Sequence, residues 1–470
     1  MIKLFLLTVI ATLGITGCKQ SHLDLMPPLD DPSIMGKKLT VAEMHKDIDA
    51  FVGGVLERHP ELSEYADEDS LYEAVIDIKT EANAPMNRTE FYRVIGKLSH
   101  LLNDGHSLLI WPYPEFQQLL DQGHKPFPFE VAISPAGDLY IKHSYQKAEL
   151  ALVAGTQILA INGIEAPTLI DQLQQYRGGE SRLLREQIIA RRFGLSLWAG
   201  MGFIDDFELE IALDGKISSL TIRKDQPWRQ TSPISALQQG EHHYTQLQSG
   251  IGLLYLAHFD IDPAEFEDFI DQTFVKIQQD KIHSLIIDIR DNTGGNTETV
   301  AYLSRHLADK PFKLISSVRE KLNQDNRGWF NYKGKAGEVI TKQWQQWEKP
   351  VPAQKAFPGD VYLMVGPSTY SAAIVLATTL EDHHFATLVG EQSGGFANQT
   401  AQGNLFNLPH SQLRAYVTTR ILVRPNGDTK RHKVEPHHVV NSSPNDIKTQ
   451  NDVGIQRVLE LINDKQANDA

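Results

Sequence analysis

Apolar residues recur every three or four positions over much of residues 38–115, which is the spacing of amphipathic helices. The clearest case is TEFYRVIGKLSHLLNDGH at residues 89–106, in which one face is formed by Phe91, Val94, Ile95, Leu98, Leu101 and Leu102. Thr89 can cap the start of this helix and Gly105 can end it. We therefore predict a helical N-terminal region, with His106 just past a helix end, where an extended segment begins.

Short strands separated by turns are predicted over residues 120–228. In VAGTQILAINGIEAPTLIDQLQQYRGG, residues 153–179, a strand over Ile158–Ile161 precedes an Asn162-Gly163 pair suited to a tight turn, and Thr168–Tyr176 follows as a short helix. The glycines and apolar residues of this run resemble the second half of a PDZ domain. That resemblance implies a strand edge and a neighbouring helix that clamp an extended peptide. A different small β domain is the alternative.

Strand-like and helical runs alternate from residue 248 onward. GIGLLYLAHF, HSLIIDIR, DVYLMVG and ATLVGE are largely apolar, as strands covered on both faces are. The Asp262-Pro263 pair indicates a helix start. These patterns predict an α/β core with a largely parallel sheet over residues 245–445, followed by a C-terminal helix or tail over 446–470. The expected fold class of the whole chain is α/β, in an α+β multidomain arrangement.

Composition and charge narrow the possible functions. The 470 residues are 41% apolar and 22% charged, as in soluble globular proteins, and their number suggests two or three domains. The net charge of −14, without a long basic cluster, argues against nucleic acid as a partner. Paired histidines lack the companion motifs of metal sites, so neither a metal nor a cofactor is expected. These pairs are His242-His243, His383-His384 and His437-His438.

The N-terminus carries an apolar run over residues 4–15 that is too short to span a membrane and fits a secretory signal. Cys18, the only cysteine, ends the sequence Ile-Thr-Gly-Cys, which resembles the lipobox of bacterial lipoproteins. The resemblance implies a signal peptide over residues 1–17, lipidation at Cys18 and a linker over residues 18–37. Lys19 resembles the sorting residue of outer-membrane lipoproteins. We expect a lipid-anchored protein on the periplasmic face of the cell envelope, with an ordinary signal peptide as the alternative.

Two serines lie between a predicted strand and a predicted helix in GPSTYSAAIVLA, residues 366–377. Ser371 comes at the first helical turn, where free backbone amides can stabilise an oxyanion. Ser368 is expected to make a local hydrogen bond in the turn. From these residues alone, Ser371 is either a nucleophile or a helix cap.

Three segments in order resemble the tail-specific, or C-terminal-processing, serine peptidases of family S41 and their tricorn-like relatives. They are LIIDIRDNTGGN at 285–296, the segment that contains Ser371, and the strand that ends in Val-Gly-Glu at Glu391. The resemblance covers most of residues 40–440 and implies a serine-type peptidase that cleaves peptides or proteins through an acyl-enzyme, with Ser371 as nucleophile. For the oxyanion hole we expect the amides of Ala372 and of Gly294 or Gly295, because paired glycines allow close approach of the main chain.

The chain departs from the tail-specific pattern at the general base. Those enzymes place a lysine six residues after the glycine of Val-Gly-Glu, where this chain has Phe396, and no lysine occurs between Lys355 and Lys430. A serine hydroxyl needs a neighbouring base. His106, in Asn-Asp-Gly-His, resembles the histidine of the tricorn-like branch and is our candidate.

The acid that would orient this histidine stays open. Asp428 and Glu435 are candidates because the tricorn-like branch takes its acid from a segment after the nucleophile helix, whereas Asp104 is expected to point elsewhere. The alternative function is that of a catalytically inactive lipoprotein that binds peptides as a scaffold.

Overall fold

The computed structural model describes residue 29 and residues 31–134, 136–231, 242–328 and 333–469. The predicted signal peptide, the lipidation site at Cys18 and the first part of the predicted linker lie outside these residues. No helix in the described ranges is both long and apolar enough to cross a membrane.

The N-terminal region is mainly helical. Its five α-helices are α1 (Val41–Arg58), α2 (Leu62–Tyr65), α3 (Glu68–Glu81), α4 (Arg88–Ile95) and α5 (Tyr113–Asp121). Two 3₁₀-helices, Pro32–Gly36 and Gly96–Leu102, and the short strand β1 (Leu108–Leu109) complete it. All six apolar residues predicted to share a face pack into one core with α1, although Leu101 stays partly exposed.

Two details at the ends of the helix over residues 88–102 differ from expectation. The N-cap is Asn87, whose side chain accepts from the Glu90 amide while the Glu90 carboxylate accepts from the Asn87 amide, so Thr89 lies inside the helix. The chain ends its last turn at Asn103, which takes the left-handed conformation with φ 45°. Gly105 does not end the helix, but it leaves room for Tyr370. A Cβ at residue 105 would lie 2.4 Å from the Tyr370 hydroxyl.

The second region is rich in short strands. Its elements are β2 (Val131–Ile133), β3 (Leu139–Ile141), β4 (Tyr145–Lys147), β5 (Leu150–Leu152), β6 (Gln157–Ile161), β7 (Ile164–Glu165), α6 (Ala166–Gln174), α7 (Arg182–Arg191), α8 (Phe193–Met201), β8 (Phe207–Leu213), β9 (Lys216–Ile222) and β10 (Arg229–Gln230). One sheet has the order β2-β3-β6-β8-β9 with β7 beside β6, and a small sheet has the order β10-β4-β5. Asn162 and Gly163 form the predicted turn, both at positive φ.

Helix α7 packs against the edge strand β2 of the larger sheet. Its residues enter two cores: Leu184 packs into the core of the third region, and Ile189 packs into that of the second. This helix therefore joins the second region to the third. The PDZ-like character of the second region stays a prediction.

The third region has the predicted alternation of strands and helices. Its elements are β11 (His243–Gln248), β12 (Ile251–Tyr255), α9 (Pro263–Gln279), β13 (Ser284–Asp288), α10 (Thr297–Leu307), β14 (Ser317–Lys321), β15 (Val339–Gln343), β16 (Asp360–Val365), α11 (Ala372–Asp382), β17 (Thr387–Gly390), β18 (Gln399–Asn407), β19 (Arg414–Val423), β20 (His438–Val439), α12 (Pro444–Thr449) and α13 (Val453–Asp469). Asp262 caps α9, as its sequence indicated.

The central sheet of this region has the order β11-β12-β13-β16-β17-β20 and is parallel except for β11. Strands β12 and β13 are buried along their whole length because helices cover both faces. Helices α9, α10 and α11 pack on one face, and α13 packs on the other. The α/β fold class predicted from the sequence is confirmed.

A second, antiparallel sheet connects the N-terminal region to the core. Its order is β1-β19-β14-β15, with β18 also paired to β19. Leu108 of β1 pairs with Tyr416 of β19. Since His106 lies just before β1, this pairing holds it beside the core, next to the start of β18.

The capping residue of α4 can be tested by substitution. Asn87→Ala is expected to lower the free energy of unfolding by about 1 kcal/mol, because the Glu90 amide loses its acceptor. Thr89→Ala should cost less, since the Thr89 hydroxyl only donates to the Asn87 side chain. Denaturation by urea, followed by far-UV circular dichroism, measures both changes. A larger loss in Thr89→Ala would contradict the assignment of the cap.

Candidate active site

Ser371 lies in a sharp turn between strand β16 and helix α11. Its backbone has φ 54° and ψ −124°, a strained conformation for a residue with a side chain. The turn is held from both sides: the Tyr370 amide donates to the Asn292 carbonyl at 3.1 Å, and Gln399 Nε2 donates to the Ser371 carbonyl at 2.8 Å. The serine hydroxyl is thereby presented at the carboxyl end of a buried strand.

Gly294 packs directly against this turn. It has φ 100°, and a Cβ on it would lie 2.6 Å from Ser371 Cβ, so a larger residue does not fit. The Gly294 amide already donates to Asn292 Oδ1 at 2.8 Å. Of the expected oxyanion-hole donors, this leaves the amide of Gly295 and that of Ala372, which begins α11 and has no intrahelical acceptor.

His106 and Ser371 meet although 265 residues separate them in sequence. His106 Nε2 lies 3.0 Å from Ser371 Oγ, within hydrogen-bonding distance. The imidazole also stacks on the Tyr370 ring, with centroids 4.8 Å apart and planes at 24°. This stacking and the β1–β19 pairing together fix the position of the ring.

Thr400 connects the other nitrogen of the imidazole to a carboxylate. Its hydroxyl lies 3.1 Å from His106 Nδ1 and donates to Asp104 Oδ1 at 2.5 Å. An ionised carboxylate can only accept, so the threonine proton points to Asp104 and a lone pair faces Nδ1. This contact favours a hydrogen on Nδ1, so the lone pair of a neutral imidazole lies on Nε2, which is the nitrogen near Ser371 Oγ.

Asp104 is fully buried and surrounded by donors. Besides Thr400, it accepts from the His106 amide at 2.9 Å and from the Ser107 hydroxyl at 2.5 Å, and His59 Nε2 lies 3.3 Å away. Since His59 Nδ1 accepts from a backbone amide, the hydrogen of a neutral ring lies on Nε2, the nitrogen 3.3 Å from Asp104. Burial alone would raise the pKa of Asp104, but His59, His106 and Ser107 outweigh it and lower the pKa to about 2.

Glu180 is a second acid near the imidazole. The Tyr370 hydroxyl lies 3.0 Å from His106 Nδ1 and 2.8 Å from Glu180 Oε1, so it bridges the two groups. Burial, and then the charge of Asp104, raises the pKa of Glu180 to about 8. Asp104 is therefore ionised at neutral pH, whereas Glu180 is mostly protonated.

The two acids suggested by the sequence lie elsewhere. Asp428 accepts from His432 Nε2 at 3.1 Å, and Glu435 accepts from Gln392. Asp104, expected to point away, is instead the acid that reaches the imidazole. The cause is the left-handed turn at Asn103, whose backbone conformation the sequence pattern did not reveal.

The other positions that the sequence singled out are Ser368, Phe396 and the candidate metal ligands. Ser368 lies half-buried in the turn before Ser371. Phe396, where related peptidases carry lysine, packs edge-on against Tyr65 with ring centroids 6.2 Å apart. No group of three or more potential metal ligands occurs in the described part of the chain.

Part of the chain is similar to a known protein family. Residues 250–440 match the model of peptidase family S41. This segment, which includes Ser371, is therefore similar to the peptidase domains of that family. No curated protein sequence gave a significant match.

Solved structures show the same fold. Mature CPAF is similar with a TM-score of 0.66 and 15% identity, over 87% of this chain and 95% of that chain. CPAF complexed with lactacystin gives a TM-score of 0.65 at 15% identity, over 87% of this chain and 96% of that chain. A candidate peptidase from Parabacteroides merdae gives 0.50 at 13% identity, over 89% of this chain and 96% of that chain.

The contact through Thr400 can be tested with isosteric variants. Thr400→Val removes the hydroxyl between Nδ1 and Asp104, and losing a buried hydrogen-bond partner costs about 1–3 kcal/mol. We expect the rate constant for reaction with a fluorophosphonate probe to fall roughly ten- to hundredfold. Thr400→Ser keeps the hydroxyl and should react within a few-fold of the parent. Equal rate constants for Thr400→Val and Thr400→Ser would show that the Thr400 hydroxyl does not contribute to the reaction with the probe.

Proposed function

We propose that Ser371 is the nucleophile and His106 the general base of a peptidase that cleaves peptide bonds in peptides or proteins. The observation that carries the proposal is the 3.0 Å distance between Ser371 Oγ and His106 Nε2. Further support comes from Asp104, which reaches the opposite nitrogen through Thr400. Nucleophile, base and orienting acid thus form one hydrogen-bonded chain.

The proposed reaction begins when Ser371 Oγ attacks the carbonyl carbon of the substrate and His106 Nε2 takes its proton. The imidazolium that forms is stabilised by the negative charge of Asp104. The oxyanion accepts hydrogen bonds from the amides of Ala372 and Gly295. The C–N bond then breaks, the amine leaves with the proton from Nε2, and an acyl group stays on Ser371. A water molecule, activated in the same way, releases the acid and restores the serine.

The alternative of an inactive peptide-binding scaffold was based mainly on the missing acid. The contacts of Thr400 with Asp104 and His106 support the catalytic alternative instead.

We also propose that the mature chain is anchored by a lipid on Cys18 and lies on the periplasmic face of the cell envelope, with residues 18–37 as its linker. The lipobox-like sequence supports this. Cys18→Ala is expected to shift the protein from the membrane fraction to the soluble fraction and to abolish incorporation of labelled palmitate. Incorporation that persists in the variant would contradict the proposal.

The catalytic assignment is tested by labelling the purified protein with a fluorophosphonate. We expect covalent labelling of the parent, none of Ser371→Ala, and undiminished labelling of the matched control Ser368→Ala. His106→Gln should react about 10²- to 10⁴-fold more slowly, because the serine loses its base. Its melting temperature should stay near that of the parent. Labelling that persists in Ser371→Ala would refute the assignment.

A further inference from the structure

The Tyr370 hydroxyl oxygen is confined between two groups and has one proton to give. It lies 3.0 Å from His106 Nδ1 and 2.8 Å from Glu180 Oε1. The tyrosine ring stacks on the imidazole, and Gly105 and Gly395 close around it so tightly that a Cβ on either would clash. Since the oxygen cannot move far, only its proton can turn from one neighbour to the other.

The protonation state of Glu180 decides which way this proton turns. Glu180 Oε2 is sealed from solvent and has no hydrogen-bond partner among the described residues. A proton on Oε2 would therefore have no acceptor, whereas a proton on Oε1 can be donated to the Tyr370 oxygen. When Glu180 is a carboxylate, the direction reverses and Tyr370 donates to Oε1.

The two directions have opposite effects on His106. If Glu180 donates to Tyr370, the tyrosine proton points to Nδ1, so Nδ1 accepts and the hydrogen of a neutral ring lies on Nε2. That hydrogen faces Ser371 Oγ and prevents Nε2 from taking the serine proton. If Glu180 is ionised, a lone pair of Tyr370 faces Nδ1, as the lone pair of Thr400 does, and Nε2 is free to accept.

We propose that Glu180 is a positioning residue for the reaction and that, through Tyr370, it selects which nitrogen of His106 carries the hydrogen. This inference rests on the proposed role of His106 as base. It also makes the second region, which supplies Glu180, part of the active site. Thr400 favours the tautomer of His106 with its hydrogen on Nδ1 at every pH. Tyr370 favours the tautomer with its hydrogen on Nε2 until Glu180 loses its proton.

Charged and titratable groups surround Glu180 on several sides. They are Asp104 and Tyr65 of the N-terminal region, Arg185 of α7, Tyr370, and Lys433 after β19. The carboxylate is favoured by hydrogen bonds from the Tyr370 hydroxyl and from the backbone amides of Glu180 and Gly105. The charges of Arg185 and Lys433 act in the same direction. Burial and the charge of Asp104 outweigh these groups. The pKa of about 8 that results places the change just above neutral pH.

The pH profile of fluorophosphonate labelling tests the inference. In the parent, we expect the rate constant for labelling to rise about tenfold in a step near pH 8. A factor of about ten corresponds to the free energy of one neutral hydrogen bond. Glu180→Gln cannot ionise and Tyr370→Phe cannot relay the change, so both should lack this step. Glu186→Gln is the matched control, because Glu186 is a buried acid of α7 that pairs with Arg182. It should keep the step.

Stability gives a readout that does not depend on activity. The folded pKa of Glu180 lies above the ordinary value, so the unfolded chain loses its proton first as the pH rises. Part of the parent's stability is therefore lost between about pH 4 and pH 8. Glu180→Gln should lack this loss, which melting temperatures at several pH values measure.

Two outcomes would separate the inference from the proposed function. A labelled parent whose pH profile is unchanged in Glu180→Gln and Tyr370→Phe would overturn the role of Glu180 alone. A parent without any Ser371-dependent labelling would overturn the catalytic assignment. In that case, ¹⁵N chemical shifts of the His106 imidazole still test the role of Glu180. A tautomer change with pH that disappears in Glu180→Gln would support this role. The same tautomer change in the parent and in Glu180→Gln would refute it.

Discussion

The arrangement of the candidate active site depends on the buried charge of Asp104. A carboxylate that is removed from water is stable only if donors surround it. Asp104 has such donors from several segments, and each one places a part of the site: the amide of His106 fixes the imidazole, and the Thr400 hydroxyl holds the start of β18. Ser107, which also donates to Asp104, accepts from the Thr418 amide of β19. The need to compensate this charge therefore draws the N-terminal region and the core together around the imidazole.

A second constraint is the strained turn at Ser371. A residue with a side chain at positive φ with this ψ costs roughly 1–3 kcal/mol and persists only where its surroundings fix it. Here Asn292 accepts from the Tyr370 amide, and Gln399 donates to the Ser371 carbonyl. Gly294 leaves the space that the turn occupies. The strained backbone points the serine hydroxyl toward the imidazole. The contacts that hold this backbone in place therefore also align the two groups.

The sequence predicted those features that local pattern determines. The strands of the parallel sheet, the cap at Asp262 and the turn at Asn162-Gly163 follow from periodicity and from the residues themselves. The pairing of His106 with Ser371 was expected because no lysine was available and a family resemblance suggested a histidine. Thr400 and Glu180 gave no signal, because their contacts with the site join residues far apart in sequence. Acids near the C-terminus were suggested instead because a sequence shows that a carboxylate is present but not where it points.

The site, which lacks the lysine, is assembled from residues of different regions of the chain. A lysine at position 396 would come from the same region as the proposed nucleophile. His106 comes instead from the N-terminal region, and Glu180 comes from the β-rich second region. Backbones of these regions approach very closely: a Cβ on Gly178 would lie 2.3 Å from the Asp104 carbonyl oxygen. A small relative movement of the regions would therefore lengthen the hydrogen bonds to the imidazole before any core is disrupted. Because the proposed base comes from another region than Ser371, the alignment of its imidazole depends on the contacts between regions.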